Sequence, residues 1–407
     1  MPVSAPSSSP RILFVDQSGD LGGAELYLLD VARAYRDTSR VVLFEDGPFA
    51  DALHAAQVPT SLLVPPPAVR HVRKQDGLWA AIRALPGLFG TVHRLAESAR
   101  NYDVLFANTQ KALLVAGLAG WWTGRPVLWN LHDLLTAEHF TPLNRWGAVW
   151  AANVFADHVI ANSVASERAF RSAGGRTPTS VVYNGIDPAP FDALPPNAGQ
   201  ALRSELNIGE APLVGVFSRL AAWKGQHVLI EALARLPGVH ALLVGEALFG
   251  SDRTYALTLR QRVHDLDLAD RVHFLGFRTD VPALMAACDV VAHTSVAPEP
   301  FGRVIVEGML ARRPVVATRA GGALEIVEDG RTGRLVPPAD PEALMRALSD
   351  LLHAPEEAAL LAAAGYEHAR RRFSPQAMLD GVTAALSRVC PPQVGASISP
   401  PVPSAAG

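Results

Sequence analysis

Short runs of β-branched and aliphatic residues alternate with longer segments of helical periodicity along almost the whole chain. In the first half the runs are RILFV (11–15), RVVLF (40–44), DVLFA (103–107), PVLWN (126–130), HVIAN (158–162) and SVVYN (180–184). They are apolar at successive positions rather than alternate ones, the pattern of parallel strands covered by helices on both faces. The second half repeats the rhythm with PLVGVF (212–217), HALLVG (240–245), RVHFLG (271–276), DVVAHT (289–294) and PVVAT (314–318). Between the halves, NGIDPAPFDALPPNAG (184–199) is loaded with Pro, Gly and Asp and breaks the pattern.

The expected fold is therefore α/β. Two Rossmann-like, doubly wound parallel-sheet domains, residues 11–189 and 200–375, are joined by a linker at 190–199. Ligands in such sheets sit beyond the carboxyl ends of the strands, which here means a cleft between the domains. A helix through 356–372 stops at RRFSP, and a new one runs from Gln376 to about Val389, with Pro375 suited to its first turn. That last helix, 376–390, is expected to cross back to the first domain. Segments 1–10 and 391–407, rich in Pro, Ser and Ala, are expected to be disordered.

Composition narrows the class. The 36 basic and 39 acidic residues give a net charge of −3, so no global basic field draws the chain to nucleic acid. Cys288 and Cys390 form neither a disulfide framework nor a metal-ligand spacing, which suits a reducing, cytoplasmic compartment. The N-terminus lacks the basic and apolar regions of a signal peptide. The longest apolar run, Ala112 to Trp122, is shorter than the ~20 residues that span a bilayer. Within that run Trp121 and Trp122 read as core residues, with stacking platforms for an acceptor as the alternative. The stretch 69–100 combines Leu78, Trp79, Ile82, Leu85, Phe89 and Val92 with five arginines and a lysine. It reads mainly as a helix packed on its own sheet, with peripheral contact to an anionic membrane as the alternative.

Chemistry concentrates at the strand ends. SRLAAWKGQ (218–226) follows the first strand of the second half and places Arg219, a planar fork of donors, and Lys224, a mobile point charge, beside a helix N-terminus. Both suit phosphate oxygens. In APEPFGRVIVEGML (297–310), Glu299 lies between two prolines and so outside a helix. Phe301 and Gly302 are expected to begin the helix that carries Glu307. The two carboxylates suit sugar hydroxyls. In SGDLGGAEL (18–26), Gly22 and Gly23 leave backbone amides open to a phosphate or sugar, and the dinucleotide fingerprint G-x-G-x-x-G is absent. His132 and Asp133 follow the run PVLWN. Asp265-Leu266-Asp267 precedes a strand and reads as a solvated helix end rather than a metal triplet.

Taken together these segments resemble glycosyltransferase family 4, retaining enzymes of the GT-B fold. GGAE at 22–25, HD at 132–133, VIANS at 159–163, VVYNGID at 181–187, SRLAAWKG at 218–225, Glu299 and Glu307 eight apart, GG at 321–322 and DGRTGRLVPPAD at 329–340 stand in the family's order. The resemblance implies that Arg219 and Lys224 grip the diphosphate of a nucleotide-sugar donor. It further implies that Glu299 and the amides of Phe301 and Gly302 hold the sugar, that Glu307 holds the ribose, and that Gly22 and Gly23 approach from the opposite domain. His132 would stand near the transferred sugar, and Leu275, Phe277 and Arg278 beside the base. The implied activity is metal-independent, cofactor-free transfer of a hexose from UDP or GDP to a saccharide or lipid-linked acceptor. A non-catalytic nucleotide-sugar binder, or another enzyme of the same architecture such as an epimerase, is the alternative. The intact quartet Arg219, Lys224, Glu299 and Glu307 speaks against it.

Overall fold

The computed structural model describes residues 10–66, 78–248 and 250–391, and of residues 78–85 the backbone alone. The disorder expected of the two termini, and residues 69–77 of the basic stretch, lie outside that range apart from Pro10 and Pro391.

Two parallel sheets form, one from each half of the chain. The first contains β1 (Ile12–Asp16), β2 (Ser39–Leu43), β3 (Thr60–Leu62), β4 (Val104–Ala107), β5 (Val127–Leu131), β6 (His158–Ala161) and β7 (Thr179–Val181), in the order β3-β2-β1-β4-β5-β6-β7. The second contains β8 (Leu213–Phe217), β9 (His240–Val244), β10 (Val272–Gly276), β11 (Val290–His293), β12 (Val315–Thr318) and β13 (Arg334–Val336), in the order β10-β9-β8-β11-β12-β13. The central strands are buried throughout, which is why they read as unbroken apolar runs. β3 and β13 escaped the sequence reading because each is a three-residue edge strand with a polar member.

In both sheets the strand order reverses beside the first strand: β1 lies between β2 and β4, and β8 between β9 and β11. Each reversal sends successive helices to opposite faces and opens a crevice at the carboxyl ends. The loops after β1, β8 and β11 carry Gly22–Gly23, Arg219–Lys224 and Glu299 respectively.

The last helix runs over Pro375–Val389, with Pro375 in its first turn and the Ser374 hydroxyl accepting from Ala377 N at 3.2 Å. Its Met378, Leu379, Val382, Ala385 and Leu386 complete the buried cluster of the first sheet, beside Ile12, Phe14 and Tyr27. The chain thus leaves the second sheet and finishes on the first. A second tie is Glu325 of the short helix Ala323–Ile326, whose carboxylate accepts from Val164 N and Ala165 N at 2.8 Å each and from the Tyr183 hydroxyl at 2.9 Å. It caps the helix Val164–Ser172 of the other domain, where the helix dipole favours negative charge.

Two expectations need correcting. Trp121 and Trp122 are not core residues, being 81% and 44% exposed. Their helix, Gln110–Thr123, is apolar all round, and its inner face is already filled by Ala112, Leu113, Val115, Ala116 and Ala119. The helix carrying Glu307 begins at Arg303, not at Phe301, because Gly302 adopts a left-handed conformation (φ +102°) and serves as its cap. Within the interdomain stretch Ala189–Asp192 forms a single helical turn.

Removing the Glu325 carboxylate by Glu325→Ala should lower stability to urea by about 1–2 kcal/mol, the scale of a lost helix cap; an unchanged midpoint would show that the tie contributes nothing.

Candidate active site

The loop after β8 turns through the short 3-10 segment Ala222–Lys224 into Gly225, which adopts φ +69°. A Cβ at Gly225 would lie 2.1 Å from the Thr294 carbonyl oxygen, so only glycine permits this approach to the loop after β11. The Thr294 hydroxyl donates to the Lys224 carbonyl at 2.9 Å, and Val296 N donates to the Trp223 carbonyl at 2.8 Å. These bonds join the two loops and bring the Lys224 ammonium to the Glu299 carboxylate, Nζ to Oε1 2.6 Å. The ammonium also lies over the Trp223 ring, 4.2 Å from its centroid.

Glu299 is buried, and the same Oε1 lies 2.9 Å from His293 Nε2 and accepts from the Ser295 hydroxyl. Burial opposes its charge, but Lys224 and then His293 outweigh that cost and hold the carboxyl well below its ordinary range. The Glu299 backbone is fixed as well. Its carbonyl accepts from Gly322 N at 2.8 Å, and a Cβ at Gly321, where φ is +58°, would lie 2.3 Å from that oxygen. The paired glycines 321–322 therefore hold the PEPFG loop from behind.

Arg219 Nε stands 3.2 Å from Asp252 Oδ2, and the side chain is about one-third exposed. With Trp223 and Pro300 it lines a groove of about 370 Å³, whose other wall is the first domain's Asp133, Leu134, Glu138, His139 and Phe140. The guanidinium thus borders the interdomain cleft. The opposing loop touches the second domain directly: His139 Nε2 donates to the Pro298 carbonyl at 2.8 Å, and its ring meets Trp223 edge-on at 5.5 Å.

The remaining residues singled out in the sequence fall as follows. Gly22 caps the helix Gly23–Ala34, and its N–H is taken by Glu25 Oε2 at 3.0 Å. A Cβ at Gly23 would meet nothing within 4 Å, so packing within the chain does not demand glycine there. His132 stands just past β5, its Nε2 within 3.0 Å of Asn108 Oδ1 and 2.6 Å of Asn130 Nδ2, its ring edge-on to Tyr27 at 5.0 Å. Burial lowers its pKa to about 3, so the imidazole is neutral at physiological pH. The Phe301 ring packs against Phe373 and Tyr183, leaving its backbone rather than its side chain for a ligand. Glu307 pairs with Arg303 at 2.8 Å, one turn earlier on the same helix. Leu275 lies in β10, and Arg278 is held by Asp280 through two bonds of 2.8 and 2.6 Å. Phe277 is exposed. Gly245 N donates to the Gly276 carbonyl at 2.8 Å, and a Cβ at Gly245 would lie 2.2 Å from the Ser218 carbonyl oxygen. That close approach brings the end of β10 alongside the strand end that carries Arg219. Asp265 and Asp267 are exposed at a helix terminus. Among the described residues no group of three or more His, Cys, Asp or Glu side chains is arranged to hold a metal ion.

Sequence reasoning missed His293, Ser295 and His139. His293 ends the apolar run VVAH at a strand's carboxyl end, which is the signal that could have found it. His139 carries no local signal, because its partner Pro298 is 159 residues away.

Comparison with known proteins points the same way. The family profile described as Glycosyltransferase Family 4 matches residues 21–190, and that described as Glycosyl transferases group 1 matches residues 200–368. A GDP-mannose-dependent phosphatidylinositol monomannoside mannosyltransferase of Mycolicibacterium smegmatis is 31% identical over 75% of this chain and 77% of its own length. A D-inositol 3-phosphate glycosyltransferase of Salinispora tropica is 30% identical over 87% of this chain and 78% of its own length. The match to the lipopolysaccharide core glycosyltransferase LpsE of Rhizobium meliloti, 36% identical, spans about half of that protein, 48%. Among solved structures, Anabaena HepE in complex with UDP-glucose superposes with a TM-score of 0.85 at 44% identity, over 93% of this chain and all of that one.

Beneath the Gly22–Gly23 turn, buried Asp16 accepts from Asn108 Nδ2 at 2.6 Å and from Ser18 N at 2.9 Å. Burial, with the Glu25 charge added, raises its pKa to about 7. A carboxyl raised in the folded state contributes stability that is full below the unfolded value, near pH 4, and is lost as pH rises through the folded value. Urea stability of the wild type is therefore expected to fall between about pH 4 and 7, and Asp16→Asn should flatten that slope. Parallel profiles for the two proteins would refute the assignment.

Proposed function

The chain belongs to glycosyltransferase family 4 and is a glycosyltransferase of the GT-B type, and from that premise we propose that it is a retaining hexosyltransferase using UDP-glucose or a closely related UDP-hexose. The acceptor class is a saccharide or lipid-linked saccharide. The choice of UDP rests on the 44% identity to a protein crystallised with UDP-glucose, with UDP and glucose, and with UDP. The observation that carries the reading is the clamp at the β8/β11 crevice, where Arg219 borders the interdomain groove and Lys224 stands on buried Glu299.

In the proposed reaction the bond between the anomeric carbon and the diphosphate oxygen breaks while the acceptor oxygen bonds the same carbon from the same face. The acceptor proton passes to the departing diphosphate oxygen. Negative charge grows on the diphosphate, and Arg219 and Lys224 neutralise it without a metal ion. Because Lys224 is already fixed by Glu299, Trp223 and the joined loops, little reorganisation accompanies the charge transfer. Neutral His132 suits a hydrogen bond to a sugar hydroxyl rather than transfer of a full charge. Glu299 is tied to a cation, an ill fit to the nucleophile of a double displacement.

A hydrolysis panel of UDP-, GDP- and ADP-sugars tests this reading: nucleotide is expected to be released fastest from a UDP-hexose, whereas a non-catalytic binder would release none from any donor. On the preferred donor Arg219→Ala and Lys224→Ala should each lower kcat by about 10²–10³-fold, or ~2.7–4 kcal/mol. A loss under about threefold in either variant would argue against an oxyanion-type clamp.

A further inference from the structure

The outward layer of the first domain consists of the helices Leu78–Ala99, Gln110–Thr123 and Pro142–Phe155, packed side by side on one face of the sheet. A surface helix ordinarily turns a polar stripe to water. The helix Pro142–Phe155 does not. Its inner stripe, Ala148, Val149, Ala151 and Ala152, is buried, yet its outer stripe carries Leu143, Trp146, Trp150 and Val154, 74%, 63%, 44% and 55% exposed. The spacing of three, four and four keeps all four on one side. On the neighbouring helix Trp121 and Trp122 are also exposed, and Trp146 stacks on Trp150 at 6.3 Å. An apolar surface of this extent marks an interaction site rather than an ordinary monomer surface.

Charge indicates what it meets. Among the described side chains, the three helices carry Arg94, Lys111 and Arg145 against the single acid Glu97, in a chain whose net charge is −3. Exposed indoles on helices with a basic excess match the boundary between anionic headgroups and acyl chains, where tryptophan concentrates. A second copy of the chain fits less well, since a two-fold contact would set this basic excess against its own image. No helix among the described residues is long and apolar enough to cross a bilayer. We propose that this face seats the protein on an anionic lipid surface.

The location deepens the functional reading and rests on it. The loop whose Asp133, Leu134, Glu138, His139 and Phe140 wall the interdomain groove runs directly into the helix that bears the stripe. A bilayer held against that helix brings a lipid-linked acceptor toward the groove from the acceptor side.

Flotation of the full chain with vesicles of phosphatidylcholine and phosphatidylglycerol, and with phosphatidylcholine alone, tests the proposal. The wild type is expected to float with the anionic vesicles at low salt. The triple variant Trp121→Gln/Leu143→Gln/Trp146→Gln should lose about tenfold in bound fraction while releasing nucleotide from the soluble donor at the wild-type rate. The charge variant Arg94→Glu/Lys111→Glu/Arg145→Glu, altered only at polar positions, provides the same readout should the first fold poorly. Absence of flotation overturns the proposal. So does flotation unchanged in both variants, or a concentration-dependent dimer in sedimentation velocity that the triple variant abolishes. Flotation without nucleotide release from any donor would instead sink the transferase reading and leave the lipid surface standing.

Discussion

The structure turns on one buried carboxylate. Glu299 is removed from water, and an isolated charge there would carry a penalty of several kcal/mol. It stays ionised because Lys224 and His293 converge on a single oxygen and Ser295 donates to the same atom. Such a pair constrains both partners. Lys224 is held in one position by its need to compensate Glu299, and Glu299 cannot leave without stranding an ammonium group beside Trp223. A rigidly held cation at a strand's carboxyl end is what a departing diphosphate requires.

That pair exists only because the strand order reverses beside β8. Adjacent strands β8 and β11 send their following loops into the same crevice, and Gly225 lets those loops touch at backbone distance. The first sheet repeats the device with β1 and β4, whose crevice lies under Gly22–Gly23, Asp16 and Asn108. The loops after β5 and β8 wall a common groove, and the domains are tied together in three ways. The last helix returns to the first sheet, Glu325 caps a helix of the other domain, and His139 reaches the Pro298 carbonyl. The third tie lies within the groove wall itself, so the two domains are in contact beside Arg219.

Much of this was readable in the chain. The nine strands interior to the sheets stood out because burial on both faces demands nearly continuous apolar runs. Of the four edge strands, β7 and β10 were found through the longer runs that overlap them, whereas β3 and β13 are three residues long with no such run. The break at 184–199, the late helix start at Pro375 and the cationic pair 219/224 followed from Pro, Gly and charge placement. The fate of Trp121 and Trp122 did not follow. An all-apolar helix gives no indication of which side meets the sheet, and here the small residues face inward while the indoles remain outside. The link between Glu299 and His293 was equally hidden, since strand and loop residues six apart approach only after the chain turns.

By itself, then, the amino-acid order determined the two α/β halves, the family and the types of side chain at each strand end. These depend on local periodicity and on residue chemistry, which a linear reading retains. Tertiary structure decided which of those side chains share an oxygen, which histidine is neutral, which loop of the first domain faces Arg219 and which aromatic face lies in water. Each of those outcomes depends on desolvation and on contacts between segments dozens to more than a hundred residues apart, and neither exists until the chain has folded.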